Sequence, residues 1–126
     1  MVVFSKYVEG ILKQISNSYT LLANLKNKPG DLDIIKKELA KITGLLQVLT
    51  NKIASNPEQS EEYRHILPSA KYYLENHDFF REIDTMSLLY AEDSSRLNSL
   101  RLSILDALDE KNLIGHITAF VRGIDS

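Results

Sequence analysis

Cysteine is missing from the 126-residue sequence, and that one absence excludes disulfides, thiolate metal sites and cysteine nucleophiles together. It points to a reducing compartment. Long apolar runs are missing too: Lys6, Glu9 and Lys13 interrupt the stretch MVVFSKYVEGILK well before the ~20 residues that span a bilayer or the shorter core of a signal peptide. A cytoplasmic setting without a membrane segment is the expectation. The G-x-S-x-G elbow, the G-x-x-x-x-G-K-[ST] phosphate loop and a glycine-rich dinucleotide turn do not occur, nor does strand-like alternation over a useful length. No repeat, low-complexity tract or long linker divides the chain, so residues 1–126 are expected to form one domain.

What is present fits a soluble globular chain. Hydrophobic residues at 44% and charged ones at 25% lie far from the composition of disordered segments. A chain of this length buries roughly two thirds of its unfolded surface, enough for a core without staples. The net charge of -2 hides an asymmetry: residues 1–54 hold eight lysines against four carboxylates, whereas residues 55–126 hold seven basic and thirteen acidic groups.

Helical periodicity is written along most of the chain. Phe4, Val8, Ile11, Ile15, Ser18, Leu22 and Leu25 alternate steps of four and three, which predicts an amphipathic helix over about 2–26 with Ser18 as the one break in its seam. The turn Asn27-Lys28-Pro29-Gly30-Asp31 follows, with Asp31 placed to cap the next helix. Ile35, Leu39, Ile42, Leu46, Leu49 and Ile53 then repeat the spacing without a fault. So short a connection makes residues 2–54 an antiparallel helical hairpin. Gly44, inside the second helix, suggests a close helix crossing.

Asn56-Pro57-Glu58-Gln59 has the form of a helix start, with Asn56 as cap, Pro57 in the first position and Gln59 closing a capping box. Pro68 should kink or break that third helix between residues 65 and 69. Asp78 is the next expected cap. The seam Phe79, Ile83, Met86, Tyr90, Leu97, Leu100, Ile104 and Ala107 fails only at Asp93. The Glu92–Arg96 spacing supports one continuous helix, and Asp93-Ser94-Ser95 equally supports a cap for a second. A last helix carries Leu113, Ile117, Phe120 and Ile124 and stops near Gly123. The expected fold is therefore all-α: an antiparallel helical bundle of five to six helices built on the N-terminal hairpin, with residues 57–126 supplying the remainder.

Signals for chemistry are sparse. Glu62 and His65 have E-x-x-H spacing, but a carboxylate-bridged di-iron bundle needs a second such pair and two more glutamates. His77 and His116 have no acidic residue three positions before them, and three scattered histidines without thiolates do not build a zinc site. His116 is followed by Ile117-Thr118-Ala119, unlike the lysine and glycine that usually follow a phosphotransfer histidine. No enzyme activity, cofactor, metal or small-molecule substrate is expected.

Five of the ten aromatics fall between residues 63 and 80. In YYLENHDFFRE, adjacent rings point about 100° apart, so one member of each pair fits the core and the other its margin. Phe79 and either Tyr73 or Leu74 fit the seam; Tyr72 and Phe80 then flank it. The functional expectation is a protein–protein interaction module of adaptor, regulatory or immunity-like type that binds another protein or a second copy of itself. Its contact residues are expected to be Tyr63, Arg64, Tyr72, Tyr73, Phe80 and Arg81. The alternative is a nucleic-acid-associated subunit touching phosphates through Lys36, Lys37, Lys41 and Lys52. The lack of arginine before Arg64 and a pI near 5.9 weigh against it.

Overall fold

The computed structural model describes residues 2–59, 61–90 and 92–125. Of the side chains singled out above, those of Gln59, Glu62 and Ile124 lie outside the described set. The chain is all-α, with no strand among the described residues. Helix α1 runs Val2–Ala23 and α2 Asp31–Ser55. Two 3-10 turns, Pro57–Gln59 and Glu61–Tyr63, lead to α3, Ile66–Asn76. Then come α4 (Phe80–Leu89), α5 (Ser94–Leu108) and α6 (Leu113–Asp125).

The α1–α2 hairpin has the antiparallel register its short turn demands, since Ser18 meets Glu38 and Lys52 reaches back to Tyr7. Its two ladders are buried against each other and against the other four helices: α5 and α6 pack on α1, and α3 and α4 pack on α2. Buried side chains from all six helices form one cluster. Ser18, the break in the α1 seam, donates to the buried Glu38 carboxylate at 2.8 Å. A polar residue on an apolar stripe is thereby matched by a partner across the hairpin.

Helix α1 ends three residues earlier than its spacing predicts, at Ala23. Arg101, reaching over from α5, donates to the carbonyls of Leu22 at 3.4 Å and Ala23 at 3.1 Å. Its Nε bonds Asn27, which turns the chain with φ 61°. A guanidinium thus satisfies the free carbonyls at the negative end of the helix dipole. Asp31 does not cap α2. It is the first helical residue, and its carboxylate accepts from the Lys28 N–H at 2.9 Å, locking the turn that Gly30 closes in the left-handed region at φ 93°. Gly44 is exposed, and a Cβ there would meet nothing within 4 Å, so no helix crosses at that point.

Asn56 ends α2 instead of starting α3. Its side chain donates to the Lys52 carbonyl at 2.9 Å, and its backbone N–H to Ile53. The chain then makes only the two 3-10 turns before breaking at Arg64–His65. Pro68 sits in the first turn of α3, where its absent N–H would have had no helical acceptor. Asp78 accepts from the first helical N–H of α4, that of Phe80, at 3.0 Å. Residues 79–110 form two helices, not one: Asp93 is the N-cap of α5 and accepts from the Arg96 N–H at 3.1 Å. The flaw in the seam is that cap.

Candidate groove between α4 and α5

Because α4 leans on α2 while α5 lies against α1 and α2, the cap at Asp93 lets the two helices diverge. Between them lies a groove of about 620 Å³. Phe79, Met86 and Leu100 give it an apolar lining, and Thr85, Ser99 and Ser103 add hydroxyls. Arg81, Glu82 and Arg96 supply its charges. The Arg96 guanidinium stacks on Tyr90 at 3.7 Å from the ring centre and stays within 3.7 Å of Asp93. Those two contacts hold a planar cation flat along one wall. Arg81 is exposed and makes no ion pair among the described residues. Leu89 lies on the same side of α4 as Glu82 and Met86 by helical rotation, and it is 68% exposed.

The six residues expected at a contact surface do not converge. Tyr63 is fully buried, its ring 6.3 Å from Phe4 and 4.9 Å from Phe120. Tyr73 is buried as well. Both belong to the core, because each sits where α3 or the turn before it closes over the hairpin. Arg64 is exposed and pairs with Glu61 at 3.4 Å. Tyr72 points the other way, donating to Glu110 at 3.2 Å beneath the Lys111 ammonium, 4.8 Å above its ring. Phe80 is half-buried in a smaller cleft of about 240 Å³ on the far side of α4, with Leu39, Thr43, Gln47 and Tyr73. Of the six, Arg81 alone lines the large groove; Phe79 lines both clefts.

The rings around the α3–α4 turn stack. His77 lies 6.0 Å from Phe79 with planes 6° apart, and 5.6 Å from Tyr73. Its Nε2 is 2.7 Å from Glu110, tying this turn to the α5–α6 connection. Hydrogen bonds from His77 and then Tyr72 hold the Glu110 carboxyl below its ordinary pKa, and the same carboxylate raises that of Tyr72. Burial pushes the Tyr73 hydroxyl up to about 12, against the pull of its bond with Thr43.

Three of the four α2 lysines expected as phosphate contacts share a face, and Lys36 lies off it. At about 100° per residue, Lys37, Lys41 and Lys52 fall within about 60° of one another, while Lys36 lies about 100° from Lys37. Lys36 leans toward Asp84 of α4 at 3.8 Å, and Lys52 lies 5.4 Å from the Tyr7 ring on α1. His65 and His116, far apart in sequence, stack at 6.1 Å. Among the described residues no group of three or more His, Asp or Glu is arranged to hold a metal ion, and no helix is long and apolar enough to cross a membrane.

Sequence reasoning missed Met86, Tyr90, Arg96 and Leu100 as a shared surface because all but Arg96 fit the apolar seam. The available signal was Asp93: a cap in mid-seam separates the helices on either side, and apolar residues beside the gap then line a groove. Comparison with protein-family models, curated proteins and solved structures found no match.

Proposed function

We propose that this chain is a non-catalytic protein-binding module of adaptor or regulatory type, and that its partner docks in the groove between α4 and α5. The observation that carries the proposal is the groove itself, a concave surface with Phe79, Met86 and Leu100 inside and arginines at its edge. Aromatic residues, Met and Arg are the types enriched in interface centres. Leu89 beside it is left 68% exposed, and covering it recovers roughly 25 cal/mol for each Å² of apolar surface removed from water. The cytoplasm suits a chain without cysteine.

Leu89→Glu and Arg81→Glu test this reading. Both side chains are exposed, so each variant should keep its melting temperature, as surface substitutions usually change stability by under about 0.5 kcal/mol. Each should weaken capture of the native partner from the host by about tenfold or more, the loss typical of a hot-spot residue. Undiminished capture by both variants would place the interface elsewhere.

A further inference from the structure

We infer that the outer face of the α1–α2 hairpin is a second docking surface, built for an acidic amphipathic helix of a partner protein. Four of the large hydrophobic side chains left in water lie here: Tyr7 and Leu21 on α1, Ile34 and Val48 on α2, each between 38% and 47% exposed. Isolated surface hydrophobics are ordinary. These are not isolated. Tyr7, Gln14 and Leu21 recur every seven residues, as do Ile34, Lys41 and Val48. Such a spacing keeps a stripe on one side of a helix. The contact of Ser18 with Glu38 marks the edge where the two helices face each other, both stripes lie just outside it, and Lys52 over the Tyr7 ring joins one stripe to the other. The half-buried Leu45 lies between them by the same rotation. Tyr7 to Leu21 covers about 21 Å of helix, a seam four turns long.

Charge selects the occupant. Lys41 and Lys52 stand within the stripe, and Lys37 is exposed beside it. The carboxylate nearest the seam, Glu38, is buried against Ser18. Glu9 and Asp33 lie about 160° and about 100° round their helices from Tyr7 and Ile34. An apolar seam with a basic margin complements a helix whose apolar stripe is bordered by Glu or Asp. The chain does not supply that helix itself. Helix α4 does combine exposed leucines with Glu82 and Asp84, but at 10 residues it is about 15 Å long, shorter than the seam.

The probe is a synthetic amphipathic helix of about 18 residues with leucines on one face bordered by glutamates, compared with the same peptide bordered by lysines. Binding is followed by amide chemical shifts of the full chain. The glutamate peptide should bind, moving signals around Tyr7, Leu21, Ile34 and Val48, and added salt should weaken it. Ile34→Glu and, separately, Lys41→Glu should each weaken it by about tenfold with the melting temperature unchanged. Equal binding of the lysine peptide, no binding, or shifts confined to the α4–α5 groove would each overturn the inference. So would a dimer that Ile34→Glu dissociates, which makes a second copy the occupant, or tighter binding to phosphatidylserine vesicles than to the peptide. Since Leu89→Glu leaves this face intact, its effect on groove binding and the peptide result fail independently.

Discussion

Ser18 looks like an error in the apolar seam of α1 until its hydroxyl is placed 2.8 Å from the Glu38 carboxylate of α2. Ser18→Ala removes that donor and leaves a buried charged group short of a partner, which costs about 1–3 kcal/mol. Urea denaturation should show the loss, and adding Glu38→Gln to Ser18→Ala should recover part of it. Tyr73 gives a prediction at the opposite end of the pH scale. Burial raises its pKa from 10.0 to about 12, so the folded state holds the proton more tightly than the unfolded chain. Its contribution is complete below pH 10 and is lost as pH rises toward 12, a decline of about 2–3 kcal/mol across that window. Alkaline unfolding should therefore flatten in Tyr73→Phe. Periodicity allows either Tyr73 or Leu74 in the seam, and Tyr73 is also expected at the contact surface; the structure buries its ring in the core instead. Periodicity offered no equal guide for Tyr63, because that residue lies in a 3-10 turn whose side chains follow neither helical nor strand spacing.

Helix ends carry the next level of the argument. Helix α1 has no basic residue in its last turn and borrows Arg101 from α5. Arg101→Met should cost about 1–2 kcal/mol, the worth of a charge-assisted bond to helix carbonyls. Hydrogen exchange should rise first in the last turn of α1. Asp93→Ala should cost about 1 kcal/mol as a lost N-cap, with faster exchange at Arg96. The ladder of α2 was legible because six apolar residues at helical spacing leave no other way to bury them together. Cap roles were less so: Asn56 reads equally well as the first residue of a new helix or the last of an old one, and the choice fell to the Lys52 carbonyl it bonds. Gly44 was misread for a related reason. A glycine in a helix marks either close approach or an undemanding surface site, and only the packing of the neighbours distinguishes them.

For the whole molecule, the hairpin and the helices that cover it consume most of the apolar side chains, and the proposed docking surfaces are what they leave uncovered. The all-α bundle followed from spacing alone. The groove did not, since it arises from the angle between α4 and α5, which no single helix encodes, and the expected aromatic patch is divided among the core, the Glu110 cluster and two separate clefts. A photo-crosslinking side chain placed at Leu89 in the native host, with position 75 on the exposed face of α3 as control, tests the groove most directly. The account predicts one discrete protein adduct from position 89 and none from position 75. Adducts of equal yield from both positions, or from position 75 alone, would contradict it.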